Sequence, residues 1–276
     1  MNTVAAAGTD QKTVVVLGLA RSGTSVTTGV LEALGVDMGP PSWPTDWNPK
    51  GNFEDEDFAK LHKAIINSAA AGKTYFDPPA PEQILAQRER FAAGIQSLIR
   101  AKSEGKPLWG WKHPETVLMT ELYLPYLVNP HFVLVFRNPL GTAHSTVEHT
   151  RKFKDQVDLW RALKLVDYYY GEILRFVDRH PELPKEFVSF EDLVQHPLRE
   201  AGRLARFLEV DFTEKKQRQV EKLVIPREQI AVEKSRANTL LGGKIPRLIK
   251  KKLLPLLRGR NRVETREPFG SGQKSD

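Results

Sequence analysis

The stretch TVVVLGLARSGTSVTTGVLEALG, residues 13–35, decides the fold. Its first five residues are β-branched or apolar, which predicts a buried strand at the centre of a parallel sheet. Residues 18–23 form a short turn rich in small residues, and residues 24–34 carry apolar side chains at helical spacing. Gly35 stands where a helix often ends on a glycine. A strand, a glycine loop and a helix in this order place backbone N–H groups and a helix N-terminus around an anion.

The loop is close to a nucleotide-binding P-loop but lacks its lysine. The P-loop pattern is a glycine, four residues, a second glycine, a lysine, and then serine or threonine. Gly18 and Gly23 have this spacing, but Thr24 replaces the lysine and the cation of the loop is Arg21. Kinases and ATPases use that lysine on a triphosphate, so the loop argues against NTP hydrolysis. It still predicts an anion, held by a guanidinium that can bond two phosphate or sulfonate oxygens.

The segment LGLARSGTS, residues 17–25, resembles the 5′-phosphosulfate loop of sulfotransferases that use PAPS (3′-phosphoadenosine 5′-phosphosulfate). It is most similar to the arginine-containing version found in bacterial carbohydrate sulfotransferases and in tyrosylprotein sulfotransferases. The resemblance implies that Arg21 and the backbone of Ser22, Gly23, Thr24 and Ser25 bind the phosphosulfate. It also implies a three-layer α/β domain of P-loop-like fold, with a mainly parallel central sheet flanked by helices.

A second motif follows a second buried strand. Residues 131–136, HFVLVF, predict the strand, and RNPLGTAHS at residues 137–145 follows directly. Arg137 leaves the strand end and Ser145 lies about two turns into the next helix, so the two side chains are expected to hold one phosphate together. The motif resembles the 3′-phosphate site of the same family. By that resemblance, Arg137 and Ser145 bind the phosphate that distinguishes PAPS from ATP.

Two further stretches supply candidate catalytic residues. NPKGNFE at residues 48–54 resembles the NPxGxxE stretch of bacterial sulfotransferases, which implies that Glu54 is the general base. The alternative is an acidic residue that only opens a helix, predicted here over residues 54–71. KPLWGWKHP at residues 106–114 predicts a strand whose end faces the site. The resemblance assigns Lys112 to the transferring sulfonate. His113, which replaces the usual aspartate, is either the second candidate base or a neutral histidine bonded to the backbone.

Later segments extend the resemblance along the chain. SFEDLV at residues 189–194 and FLEV at residues 207–210 resemble two further family stretches, so the match covers about residues 13–212. Helices are predicted over residues 82–102 and 157–178, with a short strand over residues 186–190. In the family a basic C-terminal loop adds contacts to the nucleotide. Lys234 and Arg236 are the candidates for those contacts here.

Composition and charge exclude several classes of function. The chain has no cysteine, so disulfides and cysteine-based metal sites are excluded, and no Asp/His cluster in the sequence suggests a metal. By the resemblance, sulfonate transfer is expected to be in-line, direct and free of metal. Residues 234–276 hold 12 of the 41 Lys and Arg but only 3 of the 34 Asp and Glu, which leaves the rest near neutrality and argues against nucleic-acid binding. No secretory signal or membrane span is visible, which favours a cytoplasmic protein.

The expected organisation has three parts: a leader at residues 1–11, a sulfotransferase domain at residues 12–233, and a basic C-terminal segment at residues 234–276. That segment is expected to contact the nucleotide, to lie weakly on an anionic membrane, or to be disordered. The resemblance favours a sugar hydroxyl of a glycan, glycolipid or glycosylated metabolite as acceptor. Trp43 and Trp47 would stack on the sugar or, alternatively, anchor their own loop. A P-loop small-molecule kinase and a non-catalytic nucleotide-binding protein at a membrane surface remain as alternatives.

Overall fold

The computed structural model describes residues 11–39, 53–151 and 156–224. Within them a single sheet contains β1 (Lys12–Leu17), β2 (Leu108–Lys112), β3 (Pro130–Phe136) and β4 (Lys185–Ser189). The strand order is β2-β1-β3-β4, and every neighbouring pair is parallel. Parallel pairing brings the carboxyl ends of all four strands to the same edge of the sheet. This arrangement confirms the predicted α/β class with a parallel central sheet.

Helices cover both faces of the sheet. Those in the described part of the chain are α1 (Thr24–Leu34), α2 (Glu56–Ala69), α3 (Pro81–Leu85), α4 (Arg88–Ser103), α5 (Thr116–Tyr123), α6 (Pro139–Thr150), α7 (Leu159–Arg179), α8 (Phe190–Gln195), α9 (Pro197–Leu208) and α10 (Glu214–Leu223), with a short 3₁₀ turn at Leu124–Tyr126. The region predicted as one helix over residues 82–102 is two helices, α3 and α4. Among these helices, none is long and apolar enough to cross a bilayer.

Alternate residues of β1 belong to two separate cores. Val14 and Val16 pack with apolar residues of α1, α9 and α10, whereas Val15 and Leu17 pack on the opposite face with residues of α2, α4, α5 and α7. A strand buried on both faces needs apolar residues at every position, which explains the continuous run at residues 13–17. The result is the three-layer arrangement that the sequence predicted.

Aromatic packing fixes α2 against the end of β2. The rings of Phe58 and Trp111 stack with centroids 4.6 Å apart and planes 8° apart, and Trp109 stacks on Trp111 at 5.6 Å. Phe58 and both tryptophans are almost completely buried. Because large stacked rings leave little freedom of rotation, this packing sets where the residues around α2 lie relative to Lys112.

Candidate active site

The loop between β1 and α1 offers backbone donors at the sheet edge. Gly23 is the N-cap of α1 with a left-handed φ of 99°, and no side chain caps the helix there. The first N–H groups of a helix have no partner within it, so those near Gly23, Thr24 and Ser25 are available to an anion. Ser22 differs, because both its N–H and its hydroxyl donate to the Leu19 carbonyl, at 3.1 and 2.6 Å. The backbone donors of the site therefore begin at Gly23.

Arg21 has an uncommon backbone conformation and a largely buried side chain. Its φ is 69°, in the left-handed region that non-glycine residues rarely occupy. Its Nε donates to Ser145 Oγ at 3.1 Å, which is a neutral partner. Burial lowers the pKa of Arg21, so the folded protein holds this guanidinium in surroundings that disfavour its charge. Backbone strain and a desolvated cation together are typical of a ligand site.

Arg137 leaves β3 and lies beside the same loop. Its Nη1 donates to the Arg21 carbonyl at 3.1 Å, and its guanidinium carbon lies 4.8 Å from the centre of the Phe190 ring. Its backbone N–H donates to the Tyr170 hydroxyl at 3.0 Å. Burial lowers the pKa of Arg137, and nearby Arg21 lowers it further. The structure thus brings Arg21, Arg137 and Ser145 together, although the three lie on different elements.

The turn after Arg137 is fixed by its own side chains. The Asn138 side chain accepts from the N–H groups of Leu140 and Gly141 at 3.0 and 3.3 Å and so caps α6. Pro139 occupies the first turn of that helix, where its missing N–H costs nothing. These local contacts place Arg137 at the strand end and Ser145 inside α6, as the sequence predicted.

Lys112 ends β2 and forms an ion pair with Glu54. The distance from Lys112 Nζ to Glu54 Oε1 is 2.7 Å, and the Lys112 side chain is 2% exposed against 35% for Glu54. Burial lowers the pKa of Lys112, and the Glu54 carboxylate counteracts this. Glu54 also precedes its helix, since Asp55 is the N-cap of α2 and accepts from the Asp57 N–H. The alternative role of opening the helix therefore falls to the residues that follow Glu54.

His113 lies between the ion pair and a second buried histidine. Its Nδ1 is 3.0 Å from Nδ1 of His62, a fully buried residue of α2. Burial lowers the pKa of His113 to about 4. Burial also raises the pKa of Glu115 to about 7, and the nearby Glu54 charge adds to the rise. The partner of His113 is a side chain, whereas the sequence had offered only a backbone partner for a neutral histidine.

His62 and Glu115 are the site residues that sequence reasoning missed. His62 lies on the buried face of α2 together with Phe58, Ile65 and Ile66, so a polar residue interrupts an apolar stripe. That interruption is visible in the sequence and indicates a buried hydrogen-bonding role. Glu115 gave no such signal, because its surroundings depend on how α2 and α5 pack around it.

His62, His113 and Glu115 also form a group whose geometry would admit a metal ion, with one ligand atom each and all within 4.8 Å. The sequence gave no sign of this cluster. A metal-bound histidine normally donates its second ring N–H to an acceptor. Within the described residues, His62 Nε2 is fully buried and has no partner. His62 therefore lacks the hydrogen bond that usually orients a metal-bound histidine.

One pocket joins these groups at the carboxyl edge of the sheet. It is lined by the loop residues Arg21, Thr24 and Ser25, by Glu54, Lys112, His113 and Glu115, and by Tyr75 and His149. The Tyr75 hydroxyl accepts a hydrogen bond from the Ala20 N–H at 3.0 Å and so helps to fix the position of the loop. Cations, backbone donors and carboxylates in one pocket can bind an anionic group and remove a proton beside it. Trp43, Trp47, Lys234 and Arg236 lie outside the described residues.

The family described as the sulfotransferase family has a model that matches residues 13–214. The chain belongs to the sulfotransferase family. This assignment confirms the resemblance found in the motifs and the prediction that the chain is a sulfotransferase. The match runs from the second residue of β1 to the first residue of α10, so it spans all four strands. A search of the curated proteins found no match.

Solved sulfotransferase domains share the fold. A domain from the curacin biosynthetic pathway superposes with a TM-score of 0.50 and 18% identity, covering 75% of this sulfotransferase and 76% of that chain. A domain from the olefin synthase of Synechococcus PCC 7002 gives a TM-score of 0.53 and 14% identity, covering 90% and 94%. At these identities the likeness establishes the architecture alone.

Proposed function

We propose that this sulfotransferase moves the sulfonate of PAPS to a hydroxyl acceptor. The observation that carries the proposal is the meeting of Arg21, Lys112, Arg137 and Ser145 around a loop that has Thr24 in place of the P-loop lysine. PAPS supplies an activated sulfonate whose leaving group is a phosphate. Burial disfavours the positive charges of Arg21, Lys112 and Arg137. A bound anion with several negative oxygens would stabilise these charges.

The loop and Lys112 would bind the phosphosulfate end of PAPS. The backbone N–H groups of Gly23, Thr24 and Ser25 would hold its oxygens together with the dipole of α1. Arg21 and Lys112 would stabilise the charge that develops on the transferring group and on the leaving phosphate. Such donors act without reorganisation, because the backbone and the buried Lys112 are already fixed.

Arg137 and Ser145 would bind the 3′-phosphate of PAPS. Arg137 bonds the Arg21 carbonyl, and Ser145 accepts from Arg21 Nε, so both ends of the nucleotide site share Arg21. A nucleotide without a 3′-phosphate would not make the proposed contacts with Arg137 and Ser145. This is the basis for discrimination between PAPS and nucleotides such as AMP or ATP.

Glu54 would accept the proton of the acceptor hydroxyl. Its side chain is 35% exposed and lines the pocket, whereas its partner Lys112 is 2% exposed. A base must reach the proton that it removes, and the Lys112 ammonium orients the Glu54 carboxylate within the pocket. The acceptor proposed is a sugar hydroxyl of a glycan, glycolipid or glycosylated metabolite, on the strength of the carbohydrate-type loop motif. The transfer is proposed to need no metal.

Ligand-induced stabilisation tests the choice of nucleotide. A ligand that binds only the folded state raises the unfolding temperature by mass action. PAP should stabilise the protein much more than AMP, and Arg137→Ala should remove most of that difference. Equal stabilisation by AMP and PAP would contradict the role of Arg137 and Ser145, and a larger effect of ATP with Mg²⁺ would favour a kinase. Product formation from sulfonate-labelled PAPS, with a panel of hydroxyl compounds and chelator present, then tests transfer, acceptor class and metal dependence.

A further inference from the structure

We propose that His62 fixes the tautomer of His113, so that His113 presents an N–H donor rather than a base to the pocket. His62 is then a positioning residue, and His113 acts on the reacting groups as a hydrogen-bond donor. The catalytic consequence rests on the proposed sulfonate transfer. The tautomers themselves can be measured whether or not that function is right.

The contact between the two histidines is a single hydrogen bond. The two Nδ1 atoms lie 3.0 Å apart. The nearest carboxylate oxygen, Glu115 Oε2, is 3.7 Å from His113 Nδ1 and 3.9 Å from His62 Nδ1, which is too far for a hydrogen bond. One Nδ1 must therefore carry a hydrogen and the other must accept it.

Both rings are neutral in the folded protein. His62 is 0% exposed and packs against the rings of Phe58 and Tyr123, with centroid distances of 6.2 and 5.7 Å. Burial holds the pKa of His62 well below its usual range, and the pKa of His113 is also depressed. Each neutral imidazole carries one hydrogen, so only two arrangements satisfy the bond.

The surroundings of His62 Nε2 decide between these two arrangements. If His113 donates, His62 carries its hydrogen on Nε2, which is fully buried and has no partner within the described residues. If His62 donates, that atom is a bare ring nitrogen. A buried N–H without an acceptor is rarer than an unsatisfied acceptor. The intrinsic preference of imidazole for one tautomer does not favour either arrangement. Each arrangement contains one ring with its hydrogen on Nδ1 and one ring with its hydrogen on Nε2. We therefore assign the donor to His62.

The assignment fixes what His113 offers to substrate. With its Nδ1 lone pair bonded to His62, the His113 ring carries its hydrogen on Nε2. That atom is not among the buried unpartnered ones, and the ring lines the pocket beside Lys112. An N–H in this position can bond a sulfonate or acceptor oxygen as negative charge develops, but it cannot remove a proton. Of the two candidate bases, Glu54 is the one left free to act.

Nitrogen NMR of the unaltered protein measures the tautomers directly. Histidine labelled with ¹⁵N gives ring signals from all seven histidines, and the loss of one set in His113→Gln assigns His113. The expected result is a protonated Nε2 and a bare Nδ1 for His113, and the reverse for His62. A protonated Nδ1 in His113 overturns the proposal. So does a shift of both Nδ1 signals on addition of Zn²⁺, because the two rings would then be metal ligands.

Matched substitutions test the catalytic consequence. Gln at position 113 keeps an amide N–H near the place of Nε2 but is no base, whereas Leu keeps neither property. We expect His113→Gln to retain kcat within about tenfold and His113→Leu to lose about 10²–10³-fold, the scale for one preorganised donor. Equal losses in the two variants with normal PAP affinity would mean that His113 is the base.

The same logic applies at position 62. His62→Asn retains an amide donor near the place of Nδ1, and His62→Leu removes it. We expect Asn to keep the His113 ring in its Nε2–H form with a near-normal kcat, and Leu to lower kcat about tenfold at unchanged PAP affinity. The same kcat in both variants would contradict a positioning role for His62. Absence of any product from the unaltered protein would instead contradict sulfonate transfer, and the NMR result would still stand.

Discussion

Glu54→Gln separates two roles that the structure gives to one carboxylate. Glu54 is the ion-pair partner of the buried Lys112 and the proposed proton acceptor. Gln keeps the shape and one oxygen near Lys112 Nζ but cannot take a proton. General-base catalysis contributes about 10²–10⁴ in rate, so kcat should fall by that factor. In barrier height this is roughly 3–5 kcal/mol.

The same substitution should lower stability by a smaller amount. A hydrogen bond to a charged group contributes about 1.5–3 kcal/mol, and the partial exposure of Glu54 reduces that figure. We expect a loss of about 1–2 kcal/mol in the free energy of unfolding by urea. In a Lys112→Met background the loss should nearly vanish, because no buried ammonium is left unpaired.

The decisive assay measures kcat at saturating PAPS alongside PAP affinity by calorimetry. The proposal requires a large fall in kcat with PAP affinity nearly unchanged. If Glu54→Gln loses stability as expected but keeps almost full kcat, Glu54 is only the counter-ion of Lys112. That outcome would falsify its role as base, whatever the behaviour of His113.

Three further predictions concern the loop and the second carboxylate. Arg21→Ala should lower kcat by about 10²–10³ without reducing the unfolding temperature, and near-normal turnover would mean that Arg21 does not stabilise the transition state. Gly23→Ala should destabilise by at least about 1 kcal/mol in urea unfolding, because its φ is 99° and an added Cβ would overlap the Phe190 ring; an unchanged midpoint would contradict this. Burial raises the pKa of Glu115 to about 7 in the folded state, whereas its value in the unfolded chain is about 4.5. The contribution of Glu115 to the free energy of unfolding therefore falls as pH rises from about 4.5 to 7, and it stays low above pH 7. Glu115→Gln should therefore stabilise by up to about 3 kcal/mol at pH 8 and hardly at all at pH 4, and equal effects at both pH values would refute the shift.

Local patterns made the strand-loop-helix units predictable. The bounds of α1 agree with the periodicity of residues 24–34, and its last turn ends on Gly35 with a φ of 102°. The motif that follows residues 131–136 predicted Arg137 at a strand end and Ser145 in the next helix, and the structure contains both features. These features follow from short-range sterics and hydrogen bonding, so they can be read from a few neighbouring residues.

Features that depend on packing between distant segments were not predictable. His62 and His113 are 51 residues apart in the chain, and their contact depends on how the stacked rings of Phe58 and Trp111 fix α2 on β2. The depressed pKa of His113 arises from the same burial. The break between α3 and α4 was not predictable from the spacing of apolar residues either. That spacing continues through the break, whereas the helical backbone hydrogen bonds do not.

Phe190 contacts both halves of the proposed nucleotide site. Its ring lies directly against Gly23 of the loop, and the Arg137 guanidinium lies over it at 4.8 Å. The separation between the loop and Arg137 is therefore set in part by the thickness of one aromatic ring, which cannot be compressed. An uncharged residue therefore helps to set the position of the Arg137 guanidinium relative to Gly23.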